Sequence, residues 1–364
     1  MRASVLAAAG VLSFNSLPAG ASTMPVTADF AAATSRADVF PRSTVTFPNG
    51  VVATPDVEYA NLNGYRPLVL DIYRAKQGAV RRPLVVYVHG GGWRRGDSRT
   101  NGAFANFPDV LASLAARGYV VAAINYRLSG EARYPAAVRD VNSAIAFLRL
   151  HARDWHIDPG RIVLWGDSAG AHLAAMSATT CNQPRFAPPL STGRMSRRQA
   201  AAAPAPRVSD CVQAVVTWYG LFDLTRLAGP TGNRGIADDV QEFLGCGPGS
   251  CGDLARSASP LANVSPRTPP MLLIHGTDDT EVPYGQTVEM AAALRAAHVR
   301  MQMQLIKGAN HGWIGPNAAA TRRASLAALR RTFRFIDEVT ANPERNATAG
   351  SGAPSIPAGT TPRS

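Results

Sequence analysis

Two glycine-bracketed segments carry residues whose types and spacing suit acyl chemistry. Gly166-Asp167-Ser168-Ala169-Gly170 sets a serine among small residues, directly after the apolar run 162–165 and at the start of a helical stretch. A serine raised on a sharp strand-to-helix turn is exposed as a nucleophile, and the helix N-terminus beneath it favours a developing anion. His89-Gly90-Gly91-Gly92-Trp93 follows a second apolar run, 84–88. Successive glycines let backbone N–H groups approach a substrate closely. Gly90 and Gly91, with Ala169 beside the serine, are therefore the expected donors of an oxyanion hole.

Such a serine needs a base, and the base needs a group that orients it. The chain has seven histidines. His89 belongs to the glycine turn, His151 and His156 precede the serine, and His172 lies one turn into the helix after it. His275 ends a strand and His298 lies near the end of a helical stretch. His311, in Gly308-Ala309-Asn310-His311-Gly312-Trp313, sits on a loop after the last strand, from which an imidazole can reach Ser168. Three carboxylates, Asp278, Asp279 and Glu281, follow the strand 271–274. Asp279 is the expected acid, accepting from His311 Nδ1–H and fixing its tautomer. Asp278 is the runner-up, with a turn or cap as its alternative role. Trp93 and Trp313 are candidate walls of the substrate pocket. Arg94, Arg95 and Arg99 read as a solvated basic loop, with a substrate carboxylate at the site mouth as the alternative, and Asp140 as a residue that caps or pins helices near the serine turn.

These residues require a scaffold of alternating strands and helices. Short runs rich in β-branched residues occur at 84–88, 120–124, 162–165, 212–218, 271–274 and 301–306. Each suits a strand buried on both faces. Helical patterns lie between them, at 169–180, 285–298 and 320–339 and around Val110–Ala115 and Val138–Leu148. Alternation of this kind predicts an α/β fold with a mostly parallel sheet covered on both faces. The stretches 56–60 and 68–73 read as antiparallel edge strands.

The flanks read differently. Residues 1–21 have the basic start, apolar stretch and small-x-small site of a signal peptide, so export to the periplasm or medium is expected, with cleavage after Ala21. Residues 22–55 read as an extended leader, 56–340 as the folded domain, 182–210 as a Pro- and Ala-rich surface insertion, and 341–364 as a disordered tail. The net charge of +12 is carried by scattered arginines, with Lys76 and Lys307 the only lysines. No nucleic-acid-binding signature accompanies it, so no nucleic-acid partner is expected. No stretch is long and apolar enough to predict a membrane span. Four cysteines in an exported chain favour two disulfides, with Cys181–Cys211 and Cys246–Cys251 preferred because each pair brackets an irregular segment. No metal and no organic cofactor is implied.

Over residues 56–338 the chain resembles the hormone-sensitive-lipase-like and feruloyl- or acetylxylan-esterase-like branches of the α/β-hydrolases. The residues that carry the likeness are His89-Gly90-Gly91-Gly92-Trp93, Tyr126-Arg127-Leu128, Tyr134-Pro135 with Asp140, Gly166-Asp167-Ser168-Ala169-Gly170, Tyr219-Gly220, Asp279 and His311. The order Ser168, Asp279, His311 is the order of that fold. The resemblance implies an α/β-hydrolase fold with a small or minimal cap and a serine esterase acting on small-molecule esters. Short acyl groups are expected because the sequence shows no long apolar lid to cover a fatty chain. The alternatives are a serine peptidase of the prolyl-oligopeptidase type and a non-catalytic binding member of the fold.

Overall fold

A computed structural model describes residues 43–76, 80–193, 208–227, 234–247 and 250–341. The expected signal peptide, most of the expected leader and the expected tail beyond residue 341 lie outside the described residues.

The apolar runs form strands whose alternate side chains enter two cores. In β4 (Arg82–Val88), Leu84, Val86 and Val88 face one core while Val85 and Tyr87 face the other. Every residue of β5 (Val120–Ile124) and β7 (Ala214–Trp218) is buried. That two-sided burial is why these strands read as continuous apolar runs. With β1 (Val45–Thr46), β2 (Val51–Ala60), β3 (Leu68–Ala75), β6 (Ile157–Asp167), β8 (Met271–Gly276) and β9 (Met301–Ile306) they make a sheet of nine strands among the described residues, ordered β1-β2-β3-β5-β4-β6-β7-β8-β9. The first four in that order pair antiparallel, and β5 through β9 are parallel.

Helices cover both faces. On one lie α1 (Phe107–Ala116) and α7 (Ala318–Thr340), which bury Leu111, Leu114, Phe335 and Ile336. On the other lie α2 (Ala136–Leu150), α3 (Ala169–Thr179), α4 (Arg234–Leu244) and α6 (Gly285–Ala296), which bury Val141, Leu173, Val240 and Met290. A short helix, α5 (Gly252–Ser257), follows α4.

The structure corrects several sequence expectations. Residues 45–46 and 51–55 belong to the sheet, so the leader is shorter than 22–55. The strand containing 68–73 is internal, paired with both β2 and β5, and the edge is β1. The described ends of the 182–210 insertion are packed onto the domain. Phe186 is buried, Asn142 Nδ2 donates to its carbonyl, and Asn61 N–H donates to Ser191 Oγ at 2.7 Å. The disulfides are the expected ones, Cys181 bonded to Cys211 and Cys246 to Cys251. No described helix is long and apolar enough to cross a membrane.

Candidate active site

The candidate residues converge where parallel strands end at their carboxyl edge, the usual location of sites in open α/β sheets. Ser168 leaves β6 and caps α3, His89 follows β4, Tyr219 follows β7, and the turns after β8 and β9 carry Asp279 and His311.

Ser168 sits at φ 50°, ψ −121°, a strained conformation for an L-residue. Its neighbours hold it there. Ser168 N–H donates to Trp218 O at 2.9 Å, and Ser168 O accepts from His172 N at 3.1 Å. The flanking glycines are required by close backbone approach. A Cβ on Gly166 would lie 2.4 Å from Gly170 O, and one on Gly170 would lie 2.1 Å from Val88 O.

His311 Nε2 accepts from Ser168 Oγ at 3.0 Å, and His311 Nδ1 donates to Asp279 Oδ2 at 2.8 Å. The acid is fixed on both oxygens. Asp279 Oδ1 accepts from Glu281 N and Val282 N at 2.9 and 2.8 Å, and Oδ2 also lies 3.1 Å from His275 Nε2. His275 is itself held by Thr287 Oγ1 and Val282 O. Burial opposes the charge on Asp279, but the hydrogen bonds from His275 and His311 outweigh it and hold the carboxyl well below its usual range. For His311, burial favours the neutral ring, and the bond to Asp279 with the charges of Asp279, Glu281 and Asp167 overrides it, raising the imidazole above its ordinary 6.5. Asn310 ties the two turns together, its Oδ1 accepting from His311 N at 2.7 Å and Thr280 N at 2.9 Å. Asp278 accepts from Thr277 Oγ1, a turn role, and not from the histidine.

The glycine turn requires one correction. Gly90 N–H, expected in the oxyanion hole, donates instead to Asp167 Oδ1 at 3.0 Å. It is committed to the underside of the loop. The N–H groups of Gly91, Gly92 and Ala169 have no acceptor among the described residues. Gly91 has φ 106°, and a Cβ there would lie 2.2 Å from Arg95 O, so only glycine fits the turn. Asp167, the second residue of the serine motif, has no separate role in the sequence reading. Its Oδ1 accepts from Tyr87 Oη at 2.6 Å, which in turn accepts from Asn101 Nδ2 at 2.8 Å. Burial lifts the Asp167 carboxyl to about 6. On the other side, His89 Nδ1 lies 2.8 Å from Gly90 O, and its ring stacks on Tyr126.

Neither tryptophan is a pocket wall. Trp93 is 1% exposed, stacks on Phe243 of α4 and donates from Nε1 to His172 Nδ1 at 3.2 Å. Its φ of 58° turns the side chain inward. Trp313 is 0% exposed and packs edge-on against Trp218 and Tyr219. Arg94 is ion-paired with Asp239 and Glu242 of α4, and Arg99 with Asp71 and Asp56. Asp140 takes a forked pair of bonds from Arg127. No ion-binding group of His, Asp or Glu stands out among the described residues. The single three-residue group, Cys181 with Asp210 and Cys211, contains a disulfide.

The sheet order, the helical layers and the serine turn define an α/β-hydrolase. Within that class, the chain belongs to the BD-FAE family, whose profile matches residues 70–294. A profile of the prolyl oligopeptidase family matches residues 250–342. Esterase LipC of Mycobacterium tuberculosis (strain ATCC 25618 / H37Rv) is 32% identical over 74% of this chain and 65% of its own length. Esterase LipQ of the same strain is 30% identical over 76% of this chain and 60% of its own length, so the chain spans less than two thirds of either relative. Among solved structures, a thermophilic esterase from Thermogutta terrifontis is 27% identical with a TM-score of 0.61, covering 78% of this chain and 93% of its own.

Proposed function

We propose that this protein is an exported serine carboxylesterase that cleaves short-acyl esters of small molecules. The observation that carries the reading is the unbroken hydrogen-bonded chain Ser168–His311–Asp279, with links of 3.0 and 2.8 Å. His311 takes the Ser168 proton as Oγ attacks the ester carbonyl. The N–H groups of Gly91, Gly92 and Ala169 receive the oxyanion, and Asp279 stabilises the imidazolium. His311 Nε2–H then protonates the leaving alcohol, and water repeats the sequence on the acyl-enzyme. No step calls for a metal or organic cofactor.

Short acyl groups are favoured because the sequence offers no long apolar lid to cover a fatty chain, and because two carboxylates stand at the site, Asp239 against Gly92 and Glu281 beside His311. The Thermogutta terrifontis esterase was solved with butyrate bound. The matched prolyl oligopeptidase segment holds only the acid and the base, which esterases and peptidases share. Export rests on the sequence of residues 1–21, and two disulfides suit an oxidising compartment. Hydrolysis of p-nitrophenyl acetate, butyrate and decanoate, with prolyl p-nitroanilides alongside, tests the activity. The expected result is turnover that falls with acyl length and no amide cleavage. Decanoate faster than butyrate would refute the short-acyl reading, and cleavage of the anilides alone would favour the peptidase. An intact mass beginning at Ser22 is expected for the exported protein.

A further inference from the structure

The base has a second carboxylate neighbour that the triad does not use. Glu281 Oε2 lies 3.8 Å from His311 Nε2, the nitrogen that faces Ser168. The Glu281 backbone is fixed, because its N–H donates to Asp279 Oδ1 at 2.9 Å. Its side chain is 57% exposed, so the carboxylate stands in solvent at the mouth of the site. The turn that supplies the acid therefore also places a charge over the opposite nitrogen of the same imidazole.

That nitrogen delivers the proton to the leaving alcohol, whose oxygen must come within about 3 Å of it. The alcohol's substituent then leaves the site past the Glu281 carboxylate. Asp239, the carboxylate against Gly92, is by contrast paired with Arg94 at 2.8 Å. Among the described residues Glu281 has no cationic partner apart from His311 itself. We infer that Glu281 is a specificity-determining residue that makes the leaving-group side anionic, selecting esters of cationic alcohols over neutral isosteres and disfavouring anionic ones. This rests on the esterase reading of Ser168.

A second consequence concerns the base. The groups facing His311 are Asp279 and Glu281 from the turn after β8, Asp167 from the end of β6, and the Tyr219 ring after β7, with centroids 4.5 Å apart. All three carboxylates favour the imidazolium. Removing Glu281 moves the acid limb of kcat/KM to lower pH on a neutral ester.

The test compares acetylcholine with its uncharged isostere 3,3-dimethylbutyl acetate, in the exported protein and in its Glu281→Gln and Glu281→Lys variants. The ratio of the two kcat/KM values cancels changes common to both esters. A charge pair at this range in a wet site predicts a ratio lower by roughly three- to fivefold in Glu281→Gln and lower still in Glu281→Lys. In the wild type the preference should shrink at about 0.5 M salt. An unchanged ratio and an unmoved acid limb in both variants, with Ser168→Ala inactive, would overturn the inference and leave the esterase reading standing. Full activity in Ser168→Ala would remove the esterase reading and this inference with it.

Discussion

Asp279 Oδ2 faces two imidazoles, His311 Nδ1 at 2.8 Å and His275 Nε2 at 3.1 Å, and the carboxyl is fully buried. In the proposed mechanism an acid held in that way orients the base without taking its proton. Asp279→Asn keeps the shape and loses the charge, so kcat should fall by about 10³–10⁴ with little change in KM, as steady-state kinetics will read. The pH profile follows from the base. As the proposed base His311 must be neutral, and its surroundings raise the imidazole above its ordinary 6.5. Activity should therefore be lost as pH falls, with the acid limb of kcat/KM midway above 6.5. A limb below 6 would contradict this assignment of charges. Asp167 has the opposite linkage to Asp279. Its folded-state value of about 6 lies above the unfolded one near 3.8, so the folded state holds the proton longer and stability is lost as pH rises between them. The cost above pH 6 is on the order of 3 kcal/mol. In Asp167→Asn the melting temperature relative to wild type should climb from pH 4 to pH 7 and then level off. A gap that does not change with pH would show that the buried carboxyl is not the source.

The elements explain which residues could be read in advance. Ser168, Asp279 and His311 follow strands that are plain in the sequence, and the turns that hold them are short, so order along the chain implied proximity. The tryptophans were different. Trp93 lies beside the glycine turn in sequence, but its left-handed backbone points the ring into the core. Spacing alone does not reveal on which side of a loop a side chain falls. The same limit applies to Gly90, whose N–H faces Asp167 beneath the loop. Helix α4 went unread although Ile236, Val240, Phe243 and Leu244 recur at helical spacing, because glycine-rich stretches flank it. That helix supports the glycine turn from the side. Phe243 stacks on Trp93 with centroids 4.6 Å apart, and Asp239 pairs with Arg94. Phe243→Ala should cost about 3–5 kcal/mol in denaturant unfolding and lower kcat/KM on the order of tenfold as the turn loosens. Loss of stability with full activity would show that α4 packs on the turn without shaping it.

At the scale of the molecule, two buried layers hold a mostly parallel sheet whose carboxyl edge gathers Ser168, Asp279, His311 and the glycine turn. The disulfides reinforce it unequally. Cys181–Cys211 spans a sequence separation of 30 and Cys246–Cys251 one of 5. Loop-closure entropy predicts losses of roughly 3–4 and roughly 2 kcal/mol on replacing each pair by serine, measurable by urea unfolding. Equal losses would show that native-state packing sets the contribution. The sheet and its parallel order were legible because two-sided burial leaves an unbroken apolar signature. The antiparallel edge was misjudged because β1 has two residues, both exposed, and no apolar pattern.

The central claim is that Ser168 is the nucleophile of this site. Diethyl p-nitrophenyl phosphate reports on it directly, because an activated serine displaces p-nitrophenolate and keeps the diethylphosphoryl group. Peptide mapping by mass spectrometry should find one adduct, on Ser168, formed in step with loss of ester hydrolysis and absent from Ser168→Ala. A folded wild-type protein that stays unmodified, or that is modified elsewhere while Ser168 remains free and activity is lost, would contradict the account.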